Sequence, residues 1–436
     1  MNRDGAETEQ ARKAGLPEGG FPSRVRWTIC ALLFAATTIN YLDRQVIGLL
    51  KPTLAHSVGL TEIHYGYVVA AFQVAYAAGL MVAGRLVDRL GVRVGYSLFM
   101  GVWSLASMAH ALARSALGFG IARFFLGLGE AGNFPAAVKT VANWFPESER
   151  SLATGIFNSG ANVGAILAPA VIPWITLHFG WRAAFLSTGL FGLLWMSWWV
   201  KNYHEPSEYL GSAEAGLDDT YREVRRQAGR DVPWLTLLTY RQTWAFSIAK
   251  FLTDPIWWFY LFWLPSFFDS RFHLGLSHLG LPLIVVYNLS VIGSIGGGWL
   301  PTLFRRVALD PAKSRLSAML VCATLVLPIC AVGSVNSKWA AVGLLSLAAA
   351  SHQGWSANLF TVASDMFPRN TVGAVVGVGG MAGSVGGVVF SLSAGKILEV
   401  SHSYTPLFGI SASAYLVSIV ILHVLAPGLK KVDFTA

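Results

Sequence analysis

Twelve stretches of predominantly apolar residues recur along this chain, each long enough to cross about 30 Å of hydrocarbon as a helix. They fall near 27–50, 63–84, 94–113, 116–138, 151–176 and 182–200, and again near 243–268, 279–304, 315–334, 338–361, 372–398 and 404–427. In lipid a spanning segment must satisfy its own backbone N–H and C=O groups, which leaves helices and closed barrels as the workable solutions. Apolar runs of this length select helices. The expected fold is an all-α membrane protein of twelve transmembrane helices in two six-helix bundles. Composition agrees, because only 13% of the 436 residues are charged, against about a quarter in a soluble protein.

The long polar interval from Lys201 to Arg241 separates the two sets. The expected organisation is a tail over 1–24, a bundle over 25–200, a linker over 201–241, a second bundle over 242–428 and a tail over 429–436. Residues through about Ser23 are polar and read as a disordered cytoplasmic tail. The first apolar segment is too long for a cleavable signal peptide and is expected to remain as an anchor. A net charge of +9 would raise nucleic acid as a partner in a soluble protein. Here the basic residues sit in short loops, so no nucleic-acid partner is expected and topology accounts for them. Arg24, Arg26, Arg85, Arg89, Arg93, Lys201, Arg305, Arg306, Arg369 and Lys430 fall on one side. By the positive-inside bias that side, with both termini and the linker, is cytoplasmic. Cys30, Cys322 and Cys330 lie in apolar runs without metal or redox spacing and read as packing residues.

The halves resemble each other. WFPESERSLATGIFNSGANVGA from Trp144 lies on MFPRNTVGAVVGVGGMAGSVGG from Met366 without a gap, and the same offset sets Glu130 on His352 and Gly132 on Gly354. Repeated halves with a site at their interface are a common plan of secondary transporters.

Against this apolar background the polar residues stand out. RFFLGLGEAGNFP, from Arg123 to Pro135, places Arg123, Glu130 and Asn133 near one helical stripe. A charge at a membrane centre costs roughly 2.5–3.5 kcal/mol on the insertion scale, so such groups usually face an interior pathway. INYLDRQ brings Asn40, Tyr41, Asp43 and Arg44 into helix one. Either that helix ends there in water or these groups lie within the membrane, and the apolar run Val46–Leu50 that follows favours the second. In helix seven Lys250 and Asp254 are four apart, which suits a simple ion pair or, alternatively, a lysine that holds an anion beside Trp257, Trp258 and Tyr260. SHQGWSANLF in helix ten crowds His352, Gln353, Trp355 and Asn358 into two turns, a surface suited to sugar hydroxyls. Asn158 and Asn162 share a face of helix five, and Gln73 and Tyr76 lie on helix two. The short loop GRLVDRLGVR, with Gly84, Asp88, Arg89 and Gly91, reads as a tight cytoplasmic gating turn in which Asp88 pairs with arginines or caps the next helix. Its second-half counterpart, GGWLPTLFRR, lacks the aspartate. No phosphate-cradling loop, nucleophile triad or metal-ligand set occurs, so neither an enzyme nor a bound metal or cofactor is expected.

NYLDR at 40–44, GRLVDRLG at 84–91, RFFLGLGEAGNFP at 123–135 and WFPESER at 144–150 resemble the anion:cation symporter family of the major facilitator superfamily. KFLTDPIWWFYLFWLP and HQGWSANLFTVASDMFP are most similar to its bacterial hexuronate transporters. The resemblance implies proton-coupled uptake of glucuronate or galacturonate by alternating access, and a monomer in a bacterial inner membrane is expected. It implies Asp43 and Glu130 as proton sites, Arg44 and Arg123 as the arginines that hold the substrate carboxylate or steer the acids, and Tyr76 as a cavity residue. Arg123 is expected as the counter-ion of Glu130. The implied partners are a small organic anion, protons and the lipid bilayer. Rival readings are uptake of galactonate, glucarate or an aromatic acid, a drug:proton antiporter, which predicts an apolar cavity with a lone acid, and a transporter-like sensor, which needs a larger cytoplasmic domain.

Overall fold

The structure, a computed structural model, describes residues 21–206, 234–306 and 310–432. Most of the expected N-terminal tail, the middle of the linker and the last residues of the C-terminal tail lie outside those ranges.

The described chain is helical throughout. Helix α1 runs Ser23–Val58, α2 Glu62–Ala109, α3 Ala116–Glu130, α4 Asn133–Trp144, α5 Glu147–Phe179 and α6 Trp181–Asn202. After a short α7 (Trp234–Leu237) come α8 Arg241–Phe272, α9 Gly280–Arg306, α10 Pro311–Val326, α11 Lys338–Met366, α12 Arg369–Ser401 and α13 Thr405–Leu425. Eight helices of the described residues are long and apolar enough to span a membrane. One of them, with its terminal turn, has 51 residues, about 75 Å at 1.5 Å per residue and more than twice the hydrocarbon thickness. It therefore makes two crossings, divided at Gly91, whose φ of 77° suits glycine and strains other residues. The remaining crossings, α3 with α4, α8 and α11, are shorter or less apolar, and they carry Arg123 and Glu130, Lys250 and Asp254, and His352. Together these make the twelve spans expected. The fourth span differs from the single helix expected near 116–138, because the backbone turns at Ala131 and Gly132 and restarts at Asn133.

Large apolar side chains such as Tyr67, Met81, Leu105, Leu117, Ile121 and Phe124 are exposed. That surface would be unfavourable in water and matches hydrocarbon. Within the first half α1 packs on α5 and α2 on α3 and α6; within the second α9 packs on α11 and α8 on α12 and α13. The halves meet where α2 packs on α12, α5 on α9 and α1 on α8.

That meeting is concentrated at the end of the bundle opposite the linker, called here the far end. Tyr65 Oη donates to the Phe262 carbonyl at 2.8 Å, and the Glu62 backbone N–H donates to Glu399 Oε2 at 3.0 Å. Lys51 pairs with Glu62 at 2.6 Å beside them. A Cβ on Gly66 would lie 2.8 Å from the Ser391 carbonyl, and one on Gly395 2.7 Å from that of Glu62, so these glycines permit the close approach. Nearer mid-depth, Ser391 Oγ donates to Gln73 Oε1 at 2.9 Å. At the linker end the ion pairs Arg26–Glu149, Lys139–Asp88 and Arg315–Asp365 each stay within one half. The far end is thus closed between the halves.

Candidate functional site

Arg44 and Glu130 form the centre of the site. Arg44 lies on α1, while Glu130 is the last residue of α3, and Nε–Oε2 is 2.5 Å with both side chains buried. The expectation that Arg123 is the counter-ion of Glu130 is corrected here. Seven residues place Arg123 and Glu130 on one face but about 10 Å apart along the axis, beyond contact. The neighbouring helix α1 reaches Glu130 instead.

Aromatic rings surround the Arg44 guanidinium. Its Cζ is 4.9 Å from the Tyr41 centroid, 5.4 Å from Phe72, 4.7 Å from Tyr76 and 5.6 Å from Trp258. Three of these rings belong to the first half and Trp258 to the second. Such contacts stabilise a cation without neutralising it. Arg123 shares the same Phe72 ring at 4.7 Å and lies 5.3 Å from Phe262 of the other half. It is fully buried, and its three guanidinium nitrogens make no hydrogen bond among the described residues. Buried donors without acceptors cost about 1–3 kcal/mol each, so this guanidinium has unused capacity to donate hydrogen bonds.

Asp43 is buried, and it is held by Ser107 Oγ at 2.7 Å, with Thr188 Oγ1 3.0 Å from the same hydroxyl. Its Oδ2 makes no hydrogen bond among the described residues. Adjacent residues on a helix diverge by about 100°, which sends Asp43 toward α2 and α6 while Arg44 turns to α3.

In the second half, Lys250 Nζ pairs with Asp254 Oδ2 at 2.7 Å and lies over the Phe360 ring at 4.3 Å. Of the two readings that the spacing left open, the ion pair is the arrangement present. His352 Nδ1 is 2.7 Å from Tyr415 Oη, and its ring stacks on Trp257 at 5.4 Å and 5°. His352 thus occupies a position equivalent to Glu130 but meets rings where Glu130 meets a cation.

Several expected contacts are engaged in packing. Asn133 accepts from Tyr96 Oη at 2.5 Å and donates to Thr37 at 3.4 Å. Asn358 donates to the carbonyls of Gly297 at 2.7 Å and Gly354 at 2.8 Å, tying α11 to α9. Trp355 is buried edge-on against Tyr415, and Tyr260, expected to shape the cavity, is buried in the core. A buried amide in a helix bundle finds partners on its neighbours, and here it has found them. Gln353 and Asn162 are half-buried and Asn158 is exposed. The tight turn expected over Gly84–Gly91 is corrected: α2 stays helical through Leu90 and breaks at Gly91 alone, and Asp88, expected to pair with an arginine or to cap the next helix, pairs with Lys139 of α4 at 2.7 Å. Arg89 is exposed, and the Glu205 carboxylate packs beside Gly91 and accepts from the Arg93 backbone N–H at 3.0 Å.

A model of the Major Facilitator Superfamily matches residues 33–391. The chain belongs to that superfamily. It is accordingly a membrane transporter and not an enzyme. This facilitator is 30% identical over 393 residues to the hexuronate transporter of Escherichia coli (strain K12), covering 89% of this chain and 91% of that one. It is 31% identical to the galacturonate transporter of Dickeya chrysanthemi, over 74% of this chain and 96% of that one. The "Probable galactarate/D-glucarate transporter" of Bacillus subtilis (strain 168) is 28% identical over 90% of each chain. A D-xylose-proton symporter crystal structure superposes with a TM-score of 0.74 over 93% of this chain and 99% of that one, at 14% identity, which speaks for the fold.

Sequence reasoning missed Ser107 and Thr188 beside Asp43, Phe72 between the two arginines, and Tyr415 beside His352. Hydroxyls and rings are ordinary in spanning helices, so nothing marked them out. Trp258, named with Trp257 and Tyr260 beside Lys250, follows Lys250 and Asp254 at intervals of four and continues their stripe along α8.

Proposed function

We propose that this facilitator imports a sugar acid, foremost a hexuronate such as galacturonate or glucuronate, in symport with protons by alternating access. It acts as a monomer in the bacterial inner membrane, with both termini and the linker cytoplasmic. The observation that carries this reading is the pairing pattern of the two arginines. Arg44 is bound to Glu130, while Arg123, on the same Phe72 ring, has donors but no acceptor among the described residues.

The chemistry follows from charge. With Glu130 ionised, Arg44 is occupied and only Arg123 can attract an anion. With Glu130 protonated, both arginines face the substrate carboxylate, and a fork of guanidinium donors matches its two oxygens. Substrate and proton therefore favour each other's binding. Asp43, beside Ser107, is the second proton site. Tyr41, Tyr76 and Trp258 wall the carboxylate end. Asn162, Gln353 and Asn158 are the polar groups available to the rest of the sugar, Lys250 acts there through its pair with Asp254, and His352 orients Trp257. The segment with Gly84, Asp88, Arg89 and Gly91, helical up to the break at Gly91, gates the cytoplasmic side. The similarity to transporters named for hexuronate and galacturonate supports this substrate class. The relative named for galactarate and D-glucarate keeps other sugar acids as a second reading.

Uptake into proteoliposomes of labelled galacturonate, glucuronate, galactonate and glucarate under an imposed pH gradient tests the proposal. The hexuronates should accumulate with acid outside and lose that accumulation when a protonophore is added. Accumulation indifferent to the protonophore would remove proton coupling, and preference for another acid would reassign the substrate.

A further inference from the structure

We infer that Asp254 is a specificity-determining residue that reads the end of the substrate remote from its carboxylate and rejects a second carboxylate there. The inference rests on the sugar-acid reading and deepens it.

Lys250, Asp254 and Trp258 are spaced by four on α8, so they form one stripe along a single helix face. At its upper end Trp258 lies 5.6 Å from the Arg44 guanidinium. One helical turn away, about 6 Å along the axis, is Asp254. Arg44 and Arg123 share the ring of Phe72, so both cations attend the same end of a bound molecule. A six-carbon acid anchored there and lying along α8 brings its far end to Asp254.

What waits at that end is a carboxylate already paired. Lys250 and Asp254 are 2.7 Å apart, with side-chain exposures of 8% and 20%. The lysine is the more buried partner and the carboxylate presents the more open face. Gly383 of α12 allows this placement, since a Cβ there would collide with Asp254 Oδ2. An ionised carboxylate accepts hydrogen bonds and donates none. It suits the hydroxyl-bearing far end of a hexuronate or aldonate. It opposes the second carboxylate of an aldarate, which would meet a like charge, while the cation that might have received it is taken. Specificity by an opposing charge of this kind discriminates more sharply than loss of a contact. The other lysines and arginines in the second half's spanning helices all lie within five residues of a helix end and leave Lys250 as the interior one among the described residues.

The test compares galacturonate with galactarate, which replaces the far end by a carboxylate on the same carbon skeleton. Labelled galacturonate uptake is measured in proteoliposomes with each acid as unlabelled competitor, in wild type, in Asp254→Asn and in Lys250→Met/Asp254→Asn. In wild type, galactarate should compete at least tenfold more weakly than galacturonate. Asp254→Asn should narrow that ratio about tenfold or more, because the opposing charge is gone and Lys250 becomes available to the second carboxylate, and the double variant, which lacks both the opposing charge and the cation, should fall between the two. An unchanged ratio in Asp254→Asn, or equal competition in wild type, overturns the inference. Should Asp254→Asn fail to transport, the same ratio is read from ligand-induced thermal stabilisation of the purified variant. A variant that melts at the wild-type temperature without galactarate binding counts against the inference. Wild type that takes up no galacturonate refutes the hexuronate reading instead, and the inference is then decided on galactonate against galactarate.

Discussion

Arg44 on α1 is joined to Glu130 at the end of α3 by a buried 2.5 Å ion pair, and the arginine two turns earlier on α3, Arg123, takes no part in it. Buried pairs are weak sources of stability, because desolvation offsets most of their attraction. Their value here lies in what happens when one partner changes charge.

Glu130→Gln keeps the shape of the carboxyl group and removes its titration. Uphill accumulation under a pH gradient should fall at least tenfold, while exchange of internal for external substrate persists. Retained pH-driven accumulation would eliminate Glu130 as a proton site. Glu130→Ala, which leaves Arg44 buried without its anion, should in addition destabilise the protein by about 3–5 kcal/mol, visible as a lowered melting temperature.

The two arginines should separate kinetically. Arg123→Lys replaces a fork of donors by a point charge at the group proposed to receive the substrate, and a tenfold rise in KM for galacturonate is expected, about 1.4 kcal/mol. Arg44→Lys weakens the grip on Glu130 and should chiefly reduce the number of protons moved per substrate. Equal effects of both substitutions on KM and coupling would deny this division.

Closure at the far end requires bare backbone at Gly66 and Gly395. Gly66→Val should keep the halves apart there, abolish transport and leave a cysteine placed at Ser391 open to a membrane-impermeant thiol reagent, tested with Cys330 replaced by serine. Wild-type uptake in Gly66→Val would contradict the closed contact as a working state.

At the linker end, Gly91→Ala should lower stability by about 1–3 kcal/mol, because its backbone (φ 77°, ψ 163°) lies in a region open essentially to glycine alone. Asp88→Asn should cost no more than about 1 kcal/mol, because its pair with Lys139 is largely exposed. Reversed sensitivities in thermal unfolding would mean that the ion pair, and not the backbone turn, shapes this loop.

The twelve spans and the candidate charges were legible in the sequence for one reason. Lipid penalises polar groups so strongly that Asp43, Arg44, Arg123, Glu130 and Lys250 announce themselves against an apolar background. Pairing was not legible. Periodicity assigns a residue to a face of its own helix, and it is silent on which neighbour that face meets, so Arg123 was matched to Glu130 when Arg44 holds it. The same limit hid the packing roles of Asn133 and Asn358. Their amides match sugar hydroxyls as readily as the carbonyls and hydroxyls of adjacent helices, and only the three-dimensional neighbours decide. For Lys250 and Asp254 the pair itself was among the readings, because both partners lie on one helix where spacing is informative, but spacing left open whether the lysine instead holds an anion.

The contacts between α2 and α12 run from Glu62 and Glu399 at the far end to Gln73 and Ser391 deeper in the bundle. Eleven residues of helix separate the two ends of this seam, about 16 Å. The deeper hydrogen bond is therefore placed like a fulcrum and the helix beyond it like a lever. A tilt of about 15°, the scale of known rigid-body switches, would part the far end by about 4 Å while moving Gln73 and Ser391 little. Small rotations at the seam can thus expose one face of the buried charges and shelter the other, with no helix needing to unfold.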